Sequence, residues 1–132
     1  MKEQSTKHTT YKLGYHFVWC PQFQKAILTG NVAAGLDAEL RRLAQSNGWT
    51  IHSLAIQPDH VHLFLSAPPA VAPSQIANTL KGASARTLFK QYPALKQELW
   101  GGHLWSRSFY VGSVGEMSDD VVRRYLEAQT HD

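Results

Sequence analysis

In the run Pro58-Asp59-His60-Val61-His62-Leu63-Phe64-Leu65, one apolar residue separates two histidines. Side chains on a strand alternate faces, so His60 and His62 project together while Val61, Leu63 and Leu65 project into a core. Two neutral imidazoles side by side on a rigid strand form half of a metal site. The same spacing also suits two surface histidines on a half-exposed strand. Asp59 alternates away from the pair and reads as a turn residue. His16 alternates with Tyr15 and Phe17 on another aromatic run; it is either a neighbour of the pair or a structural histidine. His8, His52, His103 and His131 have no constellation around them.

A second segment with chemical content is Ser118–Gln129, SDDVVRRYLEAQ. Val121, Tyr125 and Gln129 recur at four-residue steps and share one helix stripe, beside an apolar stripe of Val122 and Leu126. A free phenol titrates near pH ~10 and is a poor nucleophile at neutral pH. A divalent cation nearby would change that balance by polarising a scissile phosphate. The product, a phosphotyrosine ester, keeps the bond energy and permits rejoining. The alternative is a tyrosine packed against a sheet with its hydroxyl in water.

These residues need elements to hold them. Gly14–Cys20 is aromatic and β-branched and is stopped by Pro21, which predicts a strand. Asn31 is a candidate cap for a helix to about Asn47, with Val32, Leu36, Leu40 and Leu43 on one stripe and Gly48 ending it. Trp49–Gln57 and His60–Ala67 are two strands joined by the turn residues Pro58 and Asp59, a hairpin. After the proline-rich loop Pro68–Pro73, Ser74 is placed to cap a helix to about Tyr92, with Gly82 a weak point. Pro93 breaks it, and a short helix follows. Leu104–Val114 reads as a fourth strand ended by Gly115. Ser118 is an N-cap for a last helix to about Gln129, with Asp119 and Asp120 suited to the positive end of its dipole. The order β-α-β-β-α-β-α predicts an α+β fold: a ferredoxin-like (RRM-like) antiparallel sheet with helices on one face, plus an added C-terminal helix that carries the tyrosine.

The 132 residues suit one domain, residues 11–132, after a polar, flexible arm over residues 1–10. Hydrophobic residues make up 43 %, enough for a packed core. The single cysteine, Cys20, forms neither an internal disulfide nor a paired-cysteine metal site. No apolar run approaches a membrane span and no secretion signal is visible, so the expected location is cytoplasmic. A net charge of +3 is compatible with a polyanionic partner. Lys12, Lys81, Arg86, Lys90 and Arg107 are the candidate phosphate contacts. Trp105, Phe109 and Tyr110 are either base-stacking residues or core. Arg123 and Arg124 flank Tyr125 but point elsewhere around the helix.

Five ordered blocks, YHFVWCPQF, PDHVHLF, LKGASAR, LWSRSFYVGSVG and YLEAQ, make the chain similar to the TnpA-type single-tyrosine HUH transposases of minimal bacterial and archaeal insertion sequences. The resemblance runs from about Tyr11 to Gln129. It implies that His60 and His62 are the metal-binding pair, that Tyr125 is the nucleophile, and that Gln129 is the third protein ligand. It further implies Mg²⁺ or Mn²⁺ as cofactor, a 5′-phosphotyrosine with a free 3′-OH, and single-stranded DNA with subterminal hairpins as partner. A homodimer is implied too, with active sites that can be shared between subunits. Two histidines, an amide oxygen and waters suit Mg²⁺ or Mn²⁺ better than zinc. One tyrosine per chain, with two element ends to cut, also predicts a dimer.

Three competing readings stand beside this one. A non-catalytic single-strand binder would share the fold, but the RNP1 pattern is missing. A water-using metal hydrolase would gather carboxylates, and none clusters around the histidine pair. A non-mobile relative would bind hairpin or single-stranded nucleic acid without cutting it; intact His60, His62, Tyr125 and Gln129 argue for retained catalysis.

Overall fold

The computed structural model describes residues 12–100 and 102–130, without the side chains of Asp119, Tyr125, Gln129 and Thr130. The arm over residues 1–10 lies outside the described residues. Four strands, β1 (Leu13–Trp19), β2 (Thr50–Gln57), β3 (His60–Ala67) and β4 (Tyr110–Glu116), form one antiparallel sheet in the order β2-β3-β1-β4. The helices are α1 (Gly30–Asn47), α2 (Pro73–Gln91), the short α3 (Ala94–Glu98) and α4 (Asp119–Thr130). The ferredoxin-like expectation holds.

Strand alternation divides the sheet into two unlike faces. Tyr15, Phe17 and Trp19 of β1 and Val61, Leu63 and Leu65 of β3 are buried in one core with Leu36, Leu40 and Leu43 of α1 and Ile76, Leu80 and Leu88 of α2. Each fully buried leucine contributes about 1.5–3 kcal/mol relative to an exposed one. The two helices are also tied by a part-buried polar clamp centred on the buried Glu39. Arg42 donates to both oxygens of Glu39, at 2.9 and 2.8 Å, and Thr87 Oγ1 donates to Glu39 Oε2 at 2.9 Å. The Arg42 hydrogen bonds hold the Glu39 carboxyl below the ordinary carboxylate range, against the opposing effect of burial.

Several boundaries differ from the sequence-based expectation. Thr29, not Asn31, occupies the N-cap of α1, while Gly48 ends that helix at φ 77 as expected. Ala72 precedes α2 and Pro73 takes its first turn, where a missing N–H costs nothing; Ser74 is already inside the helix. Gly82 does not interrupt α2. Ser118 caps α4, accepting from the Val121 N–H at 3.3 Å.

The largest correction concerns β4, which begins at Tyr110 rather than Leu104. Residues 104–109 lie against α2 instead of joining the sheet. Leu104 and Trp105 are buried, Trp105 Nε1 donates to Ser84 Oγ at 3.0 Å, and Trp105 bridges Pro21. Arg107 therefore precedes the fourth strand and is not part of it. Nor does Gly115 terminate β4. It has φ 92 beside a register shift opposite Gly14/Tyr15, and pairing continues to Glu116.

Candidate functional site

The sheet face opposite the core carries the histidines. His60 and His62 of β3 project together, their ring centroids 4.9 Å apart and nearly perpendicular at 71°. Antiparallel pairing sets Val18 opposite His62 and brings His16 of β1 onto the same face. The His16 and His62 rings lie 5.4 Å apart, with His16 Nε2 3.3 Å from His62 Nδ1. His52 of β2 continues the row. It packs on Phe64 at 5.0 Å and its Nε2 lies 2.9 Å from Ser66 Oγ. Burial holds His62 below the ordinary histidine range, reinforced by His60 and then His16; burial does the same for His16. His52 is lowered by burial first and by Lys12 second.

The hydrogen bonds of the pair leave one nitrogen of each ring open. His60 Nδ1 lies 2.8 Å from Asp59 Oδ1, and His62 Nδ1 faces His16. Nε2 of both rings has no hydrogen-bond partner among the described residues. An imidazole that ligates a metal through Nε2 carries its proton on Nδ1 and donates it to a neighbour, often a carboxylate. His60 with Asp59, and His62 with His16, fit that donor set. Asp59 is thus more than a turn residue: it alternates off the strand face, yet its side chain curls back onto the first ring. Among the described residues no cluster of three or more histidine, cysteine, aspartate or glutamate side chains forms a complete metal cage. A third protein ligand would come from another residue type or from outside this face.

α4 carries Tyr125 and Gln129, whose side chains lie outside the described ones. The helix meets the histidine face of the sheet, where Val122 shares a hollow with Lys12, Thr50, His52, Ser66 and Met117. Tyr125 follows Val122 by three residues, so its backbone lies one turn further on. The helix bearing the tyrosine and the strand bearing the histidines thus share one side of the sheet, opposite α1 and α2.

The candidate phosphate contacts separate into distinct places. Lys81, Arg86 and Arg107 line one hollow of about 460 Å³ between α2 and residues 102–107, together with His103 and the apolar floor of Ala85, Phe89 and Leu104. Within it Lys81 is held structurally. Its Nζ donates to the Ser106 carbonyl at 2.9 Å and lies 5.4 Å from the Phe109 ring centroid. Burial lowers its pKa. Arg86 and Arg107 are exposed, and Lys90 is exposed in the last turn of α2. Lys12 lies across the molecule and donates to Thr50 Oγ1 at 3.4 Å. Of the strand aromatics, Trp105 is core and Phe109 is half-buried, whereas Tyr110 is 61 % exposed. Sequence reasoning passed over Phe23 and Trp100, the other two large exposed apolar side chains among the described residues. The available signal was a bulky aromatic two residues after proline in one loop and directly before paired glycines in another.

A second hollow of about 460 Å³ opens beside His60 and is lined by Val18, Cys20, Gln24, Ser108 and Tyr110. It lies where β1 leaves the sheet and the chain turns through Gln22–Gln24. The Leu28 N–H donates to the Pro58 carbonyl at 3.0 Å, which fastens that loop to the turn before His60.

Comparison with known proteins bears on what this arrangement is for. A family model described as "Transposase IS200 like" matches residues 9–129. The chain is 44 % identical to the ISDra2 transposase TnpA of Deinococcus radiodurans, over 92 % of its own length and 86 % of that protein's. It is 29 % identical to the transposase for insertion sequence element IS200 of Salmonella typhimurium, over 95 % and 84 %. A transposase crystal structure from Deinococcus radiodurans superposes with a TM-score of 0.74 at 39 % identity, covering 91 % of this chain and 92 % of that one. A REP-associated tyrosine transposase bound to a REP hairpin shares the fold, with a TM-score of 0.58 at 13 % identity over 89 % of this chain and 64 % of that one.

Proposed function

The chain belongs to the IS200-like transposase family, and from that premise we propose that it cuts and rejoins single-stranded DNA at insertion-sequence ends through a covalent bond to Tyr125. The observation that carries this reading is the His60–His62 pair: two adjacent imidazoles, each with Nδ1 engaged and Nε2 open, on the sheet face that α4 meets. His60, His62 and Gln129 are the proposed ligands of Mg²⁺ or Mn²⁺. Such a cation, when bound, polarises the scissile phosphate and stabilises charge on it.

The tyrosine's part balances without any external energy source. The Tyr125 hydroxyl attacks phosphorus, the bond from phosphorus to the 3′ oxygen breaks, and the phenolic proton ends on the departing 3′-OH. The 5′-phosphotyrosine keeps a phosphodiester's bond energy. A 3′-OH attacking that ester reforms the strand and returns the proton to Tyr125. Asp59 and His16 hold the two ligand rings in the required tautomer and orientation. Burial favours the neutral form of both rings, in which His62 can ligate and His16 can accept its Nδ1–H.

Two ends of an element require two covalent cuts and hence two tyrosines, which a homodimer supplies. α4 meets its own sheet through Val122, and none of its described side chains is fully buried, which suits a helix able to serve either subunit's histidines. Hairpins near the element ends are the proposed recognition feature, since the REP-associated relative is a hairpin-bound transposase. The proposed place of action is the cytoplasm; among the described residues no helix is long and apolar enough to cross a membrane.

Covalent trapping tests the reading. The protein is incubated with Mn²⁺ and labelled single-stranded DNA carrying the element's ends, then run on a denaturing gel beside Tyr125→Phe. Label that travels with the wild-type protein and is missing from the variant is the expected result. Binding of the correct ends with metal present, but with no covalent species, would replace this reading with a non-mobile hairpin binder.

A further inference from the structure

Phe23 and Trp100 are 59 % and 80 % exposed, an unusual state for large aromatic side chains in a domain with a well-filled core. They are also neighbours, with ring centroids 5.5 Å apart and planes inclined at 49°, so the two rings form an open V. Both stand on left-handed backbone, Phe23 at φ 62 and Trp100 at φ 56, with Gln24 between loop and site at φ 51. Bulky residues rarely adopt that conformation, because Cβ crowds the backbone. Packing does not account for it here, since the side chains so presented point to solvent.

Lys25 completes the patch. Its Nζ lies 5.8 Å from the Trp100 ring centroid and donates to the Glu98 carbonyl at 2.9 Å. That bond pins the loop after β1 to the end of α3, so the two aromatics are held in place relative to one another. The patch is continuous with the proposed active site. Gln24, between Phe23 and Lys25, lines the hollow that opens beside His60 and Tyr110.

We propose that Phe23 and Trp100 form a stacking platform for one unpaired base of the single-stranded DNA flanking the cleavage position, with the strand passing Gln24 and Lys25 supplying charge to its backbone. The proposal rests on the transposase reading above. A flat π-face suits the open V, stacking tolerates any base, and an ammonium beside an exposed indole matches an anionic, aromatic polymer.

The geometry offers a direct probe. Trp19, Trp49 and Trp105 are buried at 2, 7 and 5 % exposure, so iodide-quenchable emission belongs to Trp100. Wild type, Trp100→Ala, Trp100→Phe and Phe23→Ala are titrated with oligothymidylate of about 20 nucleotides, following anisotropy of the labelled DNA and tryptophan emission. Bound DNA is expected to shield Trp100 from iodide. Trp100→Ala should weaken binding by about 5- to 150-fold, the span of one base–aromatic stack, with Trp100→Phe retaining most of the affinity. The slope of log affinity against log salt should stay unchanged, because no phosphate contact is lost.

Wild-type binding that leaves Trp100 open to iodide, with equal affinity in Trp100→Ala, would overturn the platform. The Tyr125 trapping result would then still stand by itself. A loss of dimer in DNA-free Trp100→Ala, seen by sedimentation, would also overturn it and assign the patch to an interface between copies. A wild type that neither binds single-stranded DNA nor forms the covalent species would remove the transposase reading and the platform together.

Discussion

Replacing Asp59 with alanine tests whether the histidine pair is a metal site organised by its neighbours. Asp59 Oδ1 lies 2.8 Å from His60 Nδ1, and the side chains are 43 % and 35 % exposed. Removing the carboxylate frees the imidazole to rotate and to swap its proton to Nε2, where it blocks ligation. Loss of such an orienting partner costs about 10- to 100-fold in metal affinity. Solvent screens a half-exposed pair, so the lower end applies: about tenfold, or ~1.4 kcal/mol. Mn²⁺ affinity of the DNA-free protein, measured by the signal of free Mn²⁺ in electron paramagnetic resonance, reads this without involving cleavage. Asp59→Asn keeps an oxygen acceptor for Nδ1–H and should retain most of the affinity. Asp59 lies in a half-exposed turn outside the core, so thermal stability should hardly change. Wild-type Mn²⁺ affinity in Asp59→Ala would refute the orienting role. If His60→Ala also bound Mn²⁺ normally, the metal would have to sit elsewhere.

Two further outcomes follow from burial. His16 and His62 are both held below the ordinary histidine value of about 6.5, so their ring signals in an NMR titration should change at lower pH than that. Because the folded values lie below the unfolded ones, their contribution to stability is complete above about pH 6.5 and is lost as pH falls through the folded values. A ring midpoint at or above 6.5 for either residue would contradict the desolvation argument. Ser84→Ala should destabilise the protein by about 1–3 kcal/mol in urea unfolding, since it leaves the buried Trp105 Nε1–H without its acceptor. Unchanged stability would mean that Trp105 had found another partner.

Most of the fold was legible because period-two and helical patterns are local. Phe17 and Trp19, and Val61, Leu63 and Leu65, recur at every second position, with His16, His60, His62 and Ser66 on the alternate ones, and that period of two implies a two-faced sheet even though Val18 and Phe64 break the polar pattern. Leu36, Leu40 and Leu43 similarly mark the buried stripe of α1. Boundaries read less well, for reasons specific to each residue. Ser74 has good capping chemistry, but Pro73 before it already supplies the fixed φ of a first helical turn. Leu104 to Phe109 has the composition of a strand, yet Ser84 and Lys81 offer it hydrogen-bond partners on α2, and it packs there.

By itself the sequence determined that His60 and His62 share a face, because consecutive side chains on any strand must alternate. It likewise determined that Tyr125 and Gln129 lie one turn apart on a capped helix. Tertiary structure alone decided which residues surround them. His16 is 46 positions from His62, and only the antiparallel register of β1 with β3 brings the two rings to 3.3 Å. The pairing of Phe23 with Trp100 spans a still longer separation and depends on Lys25 reaching the end of α3. Local periodicity specifies direction, whereas proximity between distant segments is set by how the whole chain closes around its core.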